Sequence, residues 1–332
     1  MKLSKLLRFN DWWTYKKPYF LGICYGTLSL YTFNIFEHFI HILLLIGALI
    51  VGASYVSVIN DLTDLDSDLQ SGKKNRMVGL DPIVGQLILA LIILVGLTSC
   101  FFLFSEDILS LSLYLLSWIS FSLYSIPPFR LKNRGFLGML ADALGSQVFP
   151  SLLMISSLSF YLNQPLNWYW FLAVGFWSFA YGLRGILTHQ YIDKQNDEVA
   201  NVNTYVRHIS FSYLKKIEAI IFISENIALT CILILLSKLA VVFSFIAYLI
   251  IMAIRWKRYD NRIVIITTPQ NSCYQIALAD FYTLFFPLSL LISASIYDPK
   301  NLYILAGHIL LFPKQLLILF RDLLIFIKYP KA

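Results

Sequence analysis

Four carboxylates fall within eight residues of the run Asn60-Asp61-Leu62-Thr63-Asp64-Leu65-Asp66-Ser67-Asp68, and three more follow in Asp193-Lys194-Gln195-Asn196-Asp197-Glu198. Seven of the 19 acidic residues therefore sit in two short stretches. On a helix, Asn60, Asp64 and Asp68 recur at i, i+4 and i+8 and share one face, with Asp61 beside them. Asp193 and Asp197 repeat the i, i+4 relation. Carboxylates this crowded repel one another until a cation joins them. An oxygen-only donor set suits Mg2+, which bridges carboxylates to phosphate oxygens. Either run alone reads equally well as helix caps or a solvated loop. Together they carry more, because Asp61 and Asp193 lie 132 residues apart and Asp64 and Asp197 lie 133 apart. That near-constant offset points to two halves presenting opposed carboxylate sets, between which several Mg2+ ions could hold a diphosphate.

The elements that position these residues are membrane spans. Of 332 residues, 58% are hydrophobic and 14% charged, against roughly 45–50% and 25% in soluble domains. Apolar segments of about 20 residues can be marked at Tyr19–Phe36, His38–Ile59, Ile83–Phe104, Ile108–Ile126, Phe136–Leu158, Trp168–Ile186, Ile217–Leu236, Leu239–Ile254 and Ile276–Ile296. The expected fold is an all-α polytopic membrane protein, a bundle of about nine transmembrane helices in two pseudo-repeated four-helix halves around a central cavity. Of the 26 Lys and Arg, 19 fall in the N-terminus and the loops after spans two, four, six and eight. The positive-inside rule makes those segments cytoplasmic, the N-terminus included. Both acidic runs end even-numbered spans and so share that side.

The chain reads as one domain over 1–332. Residues 1–17, with five cations among Trp12, Trp13 and Tyr15, read as a basic interfacial segment. Residues 302–332 read as an extra span kinked at Pro313 or as an interfacial helix. The net charge of +7 reflects topology and lipid headgroups, and no basic soluble domain exists to bind nucleic acid. Cys24, Cys100, Cys231 and Cys273 form no CxxC pair and read as packing residues.

Asn60-Asp61-x-x-Asp64-x-x-x-Asp68 resembles the first signature of the UbiA family of membrane prenyltransferases, and Asp193-x-x-x-Asp197 resembles the second. The resemblance covers nearly the whole chain. It implies a prenyl-synthase-like bundle in which Asp61, Asp64, Asp68, Asp193 and Asp197 hold Mg2+ and, with it, an allylic isoprenyl diphosphate. The family's Lys-x-x-Arg-Pro appears as Lys73-x-x-Arg76 with Met77 in place of proline. Its Tyr-containing loop appears as Tyr124-Ser-Ile-Pro127-Pro128-Phe-Arg130-Leu-Lys132, with Pro128 where a lysine is usual. Asn60, Lys73, Arg76, Tyr124, Arg130 and Lys132 are therefore expected around the diphosphate. Arg184, an ionisable residue within span six, is expected to contact phosphate or acceptor. In the second motif Asn201 replaces a glycine, and Asn tolerates the left-handed conformation a glycine turn needs. Asp142 could face the cavity, while Glu225 reads as an interhelical contact.

The expected reaction is Mg2+-dependent transfer of an isoprenyl group to an acceptor, typically an aromatic ring, with release of diphosphate at the cytoplasmic face. The host membrane would be the inner membrane if the source is bacterial. Expected partners are the isoprenyl diphosphate, a small acceptor and membrane lipids. A terpene cyclase or a phosphosugar acceptor would use the same ionisation. An ion-coupled transporter is the alternative of another class, but its acids would sit near the midplane.

Overall fold

The computed structural model describes residues 9–70, 72, 74–199, 201–269 and 272–328. Most of the interfacial segment expected over 1–17 falls on undescribed residues or side chains, and Lys73 lies outside the described residues. Helices follow in the order α1 (Phe9–Ser29), α2 (Phe39–Thr63), α3 (Leu65–Gln70), α4 (Pro82–Phe104) and α5 (Ile108–Ser125). Next comes a rod of α6 (Phe136–Ala143), a π turn over Leu144–Val148 and α7 (Phe149–Tyr161). Then come α8 (Trp168–Ile192), α9 (Lys194–Val199), α10 (Phe211–Leu236) and α11 (Leu239–Tyr259). A second π turn, Phe281–Phe285, leads into α12 (Phe286–Tyr297), and α13 (Asn301–Leu311) and α14 (Pro313–Lys328) close the chain.

Among the described residues seven helices are long and apolar enough to cross a membrane, and they coincide with expected spans two to eight. The fold is all-α and polytopic, the arrangement that leaves no backbone polar group unpaired in lipid. Side chains set the helix starts. Asp81 accepts from the Ile83 amide ahead of Pro82, Asp107 accepts from Ser110, Asn167 from Trp170 and Ser210 from Tyr213. The core runs between α1, α2, α7, α8 and α12, where Tyr19, Ile23, Leu45, Leu153, Trp170 and Leu290 are all buried.

Several boundaries differ from expectation. The first span ends at Ser29 instead of Phe36, because Thr32 and Asn34 side chains take the amides of Asn34 and Glu37 in a turn. The ninth begins at Phe281 instead of Ile276, because Tyr274–Ile276 forms a parallel two-stranded ladder with Arg262–Val264. At the C-terminus the helix breaks at Phe312, just before Pro313, where a kink was expected. Asn301, at the start of α13, bonds Phe33 O at 2.7 Å and the Phe36 amide at 3.0 Å in the loop after α1. Asp322, on α14, takes Arg255 Nε at 2.9 Å, and Tyr259 Oη donates to Asp322 O at 2.8 Å at the far end of α11. The last two helices thus run the length of the bundle.

Candidate active site

The two acidic runs adopt the same local geometry. α2 stops at Thr63, Asp64 leaves the helix with its amide still bonded to Asn60 O, and the six-residue α3 follows. α8 stops at Ile192, Asp193 leaves with its amide on His189 O, and the six-residue α9 follows. In each case the second aspartate folds back on the first, Asp68 N on Asp64 O at 2.8 Å and Asp197 N on Asp193 O at 2.9 Å. The equivalent residues are therefore Asp64 with Asp193 and Asp68 with Asp197. This corrects the pairing of Asp61 with Asp193 that spacing alone offered. It also corrects the single helical face expected for Asn60, Asp64 and Asp68, since the helix breaks at Asp64. The break still brings all three to one place.

That place is a cavity of about 460 Å3, lined by Asn60, Asp64, Asp68, Asp193 and Asp197 together with Arg76, Tyr124 and Lys132. Asp142 lines it as well. Asp61 does not; it is fully buried behind the wall, its Oδ2 3.8 Å from Arg76 Nη1. Arg130 Nη2 donates to Asp64 Oδ1 at 3.0 Å, and Lys132 Nζ pairs with the same oxygen. Burial pulls the Lys132 ammonium below the usual lysine range, and Asp64 opposes that shift.

The Lys132 loop is held from two sides. A Cβ on Gly138 would stand 2.5 Å from Leu131 O and 2.9 Å from Lys132 Cα, so α6 packs directly on the loop backbone only because that residue is glycine. Gly135 N donates to Asn203 O at 3.0 Å, tying the loop after α5 to the loop after α9. Asn201 takes the left-handed conformation expected of it, with φ 51°.

Arg184 lies elsewhere, and its expected diphosphate contact is corrected. It is nine residues before Asp193, about two and a half helical turns, and so projects from the opposite face of α8. Its Nη2 bonds Glu225 Oε1 at 2.8 Å and its Nη1 bonds Ala277 O at 2.5 Å, which matches its charge inside the bundle. His189, four residues before Asp193, shares the cavity face, with Nδ1 3.5 Å from Asp193 Oδ2. Sequence reasoning missed Asn75, whose Nδ2 donates to Asp61 O at 2.8 Å and Asp68 Oδ2 at 2.9 Å, and Ser125, which donates to Asn60 Oδ1. Neither stands out in type or spacing from its neighbours.

The cavity shares Val56 and Phe121 with an apolar pocket reaching into the bundle, whose walls include Leu49, Tyr114, Trp118 and Leu153. A polar, acid-lined chamber therefore adjoins an apolar one. Among the described residues no three carboxylate, imidazole or thiol groups converge on a single point. A metal held here would be bound by one or two carboxylates and complete its shell from a ligand and water. Mg2+ favours that coordination over an all-protein cage, so the donor set fits it.

A profile of the UbiA prenyltransferase family matches residues 20–263. The fold is similar to that of a UbiA homolog from Archaeoglobus fulgidus in several solved forms. The form bound to GPP and Mg2+ has a TM-score of 0.52 and 14% identity over 91% of this chain and 99% of that one. The form bound to DMAPP and Mg2+ has a TM-score of 0.52 and 15% identity over 92% and 99%. A form bound to Cd2+ matches with a TM-score of 0.52 at 15% identity. No curated protein matches the sequence.

Proposed function

Because this chain belongs to the UbiA prenyltransferase family, we propose that it transfers an isoprenyl group from an allylic isoprenyl diphosphate to a small, aromatic acceptor. One observation carries the reading. Four aspartates from two matching helix breaks line a single cavity that adjoins an apolar pocket. The similar Archaeoglobus fulgidus structures, bound to GPP, DMAPP and Mg2+, support the ligand class.

Asp64 and Asp68 on one side, and Asp193 and Asp197 on the other, would hold Mg2+ against the diphosphate. Bound there, Mg2+ supplies Lewis-acid stabilisation of the departing diphosphate. Asp61 positions Arg76 from behind. Lys132 and Arg130, now sharing Asp64 Oδ1, neutralise charge on the leaving group as the C1–O bond breaks. Lys74 lines the cavity and serves the same end. The isoprenyl chain lies past Val56 and Phe121, where apolar and aromatic walls exclude water from the allylic cation. A ring carbon of the acceptor forms the new C–C bond, and the proton it held leaves to the diphosphate or solvent. The concentration of basic residues in the loops at this end supports a cytoplasmic site and a cytoplasmic N-terminus.

The test is diphosphate release by membranes carrying Asp64→Asn or Asp193→Asn, with products identified by mass spectrometry. Full activity in both variants would refute the site. A cyclic hydrocarbon or alcohol formed from the isoprenyl diphosphate alone would replace transfer with cyclisation.

A further inference from the structure

A second cavity, of about 540 Å3, lies across α8 from the aspartates. α8 turns Ile186, His189, Gln190 and Asp193 to the first cavity and Tyr181, Arg184, Gly185 and Thr188 to the second. The two chambers are walled by corresponding parts of the chain. The first lies between α2, α5, α6 and α8, and the second between α8, α11, the π turn before α12, and α14. Each second wall stands four spans later than its counterpart. The local sequence repeats too. Ala141-Asp142 precedes one π turn and Phe149-Pro150 follows it; Ala279-Asp280 precedes the other and Phe286-Pro287 follows. Asp142 lines the first chamber and Asp280 the second. α14, beyond the residues matched by the family profile, completes the second ring of walls.

The charge of the lining is inverted between them. Where the first chamber presents aspartates, the second presents Arg184, Arg255, Lys314 and Arg321, against Asp280 and Asp322. Both acids engage Arg255, and Asp322 also pairs with Arg321, whose Nη2 lies 3.1 Å from Asp322 Oδ1. Arg184 is 2% exposed, and although its Nη atoms are bonded, its buried Nε–H has no hydrogen-bond partner among the described residues. A buried donor of this kind calls for an acceptor. Much of the remaining wall is aromatic or apolar, including Tyr181, Tyr248, Tyr274 and Ile318. The outer face of α14 exposes Leu317, Phe320 and Leu324, as a helix bordering lipid does.

We propose that this second chamber binds an anionic amphiphile directly, without a metal ion. A phosphate or carboxylate head meets Arg184, Lys314 and Arg321, and an apolar body lies against the tyrosines and α14. Guanidinium and ammonium groups bind such heads through charge-assisted hydrogen bonds. The site is separate from the transfer reaction and stands or falls independently of it.

Octyl phosphate serves as the probe, titrated calorimetrically into the full chain in neutral detergent with EDTA present. Saturable binding is expected, weakened at least ten-fold in Lys314→Gln/Arg321→Gln, whose changes lie on α14. The same loss is expected in Arg184→Met/Glu225→Met, which removes a buried pair together. Asp64→Asn/Asp193→Asn leaves the affinity unaltered. The proposal is overturned if binding is absent, requires Mg2+, is lost with the aspartates, or is matched by neutral octyl glucoside. Repeating the titration in nanodiscs with and without phosphatidylglycerol separates two sources of the same chemistry. Competition by that lipid identifies a bilayer headgroup, and its absence identifies a soluble anion.

Discussion

Replacing Glu225 by glutamine leaves Arg184 charged inside the bundle. The pair is closed from solvent, with side chains 2% and 0% exposed and Nη2 to Oε1 at 2.8 Å. Tyr282 Oη donates to the same oxygen at 2.8 Å, so glutamine retains a hydrogen-bonding oxygen but not the charge. Removing one member of a buried ion pair costs about 3–5 kcal/mol, most of it the penalty on the partner left behind. Removing both, as in Arg184→Met/Glu225→Met, is often nearly neutral, within about 1–2 kcal/mol, because no unmatched charge remains. Thermal unfolding of the purified protein reads the difference. Glu225→Gln is expected to lower the transition by on the order of 5–10 °C. The double variant is expected to recover most of that loss. An unchanged transition in Glu225→Gln, or a double variant no more stable than the worse single one, would refute the idea that Glu225 balances Arg184.

The matched helix breaks predict matched defects. Asp64→Asn and Asp193→Asn should each lower diphosphate release by about 10^2-fold or more, as expected when a group stabilising leaving-group charge is lost; a large effect in only one would break the equivalence. Asp61→Asn should destabilise the fold more than Asp64→Asn does, because Asp61 is fully buried beside Arg76 while Asp64 is partly exposed; equal unfolding temperatures would contradict this. Gly138→Ala places a methyl 2.5 Å from Leu131 O, and an overpacked contact of this type costs about 1–3 kcal/mol. It should cut turnover by shifting Lys132 while leaving the bundle folded, which circular dichroism and diphosphate release together would show. EDTA should abolish release and added Mg2+ restore it, and activity persisting in EDTA would exclude the metal.

Much of this architecture is legible in residue types because the bilayer leaves few choices. Long apolar runs between basic loops must be helices, and seven of the marked spans coincide with such helices. The side-chain period of a helix also sorts residues by face. Nine residues separate Arg184 from Asp193, which sets them on opposite faces of α8, whereas the four between His189 and Asp193 set those on one face. What spacing could not reveal is the break at Asp64. A run of Asn, Asp, Leu and Thr does not by itself say where a helix stops, and the residue at the stop, Asp64, finds its partners Arg130 and Lys132 in a distant loop. The contacts of Asn75 and Ser125 were illegible for a related reason. They depend on chain segments brought together by packing, with no local pattern to announce them.

The repeat also explains why one protein would keep two chambers with opposite lining. A four-span unit used twice places a π turn, an aspartate and a helix end around a cavity each time, so the scaffold for a second site follows from the scaffold of the first. The side chains at those places then decide what each chamber holds. Aspartates demand a cation, and through it recruit a diphosphate. Arg184, whose buried Nε–H has no acceptor among the described residues, together with Lys314 and Arg321 can meet an anion with no metal between them. α14 is the element that permits the second choice, since the last ring of walls stays open without it. Truncation before Pro313 should therefore abolish octyl phosphate binding while leaving Asp64, Asp193 and their cavity in place. If the truncated chain folds and still binds the probe with the full chain's affinity, the second chamber is not where the anion sits.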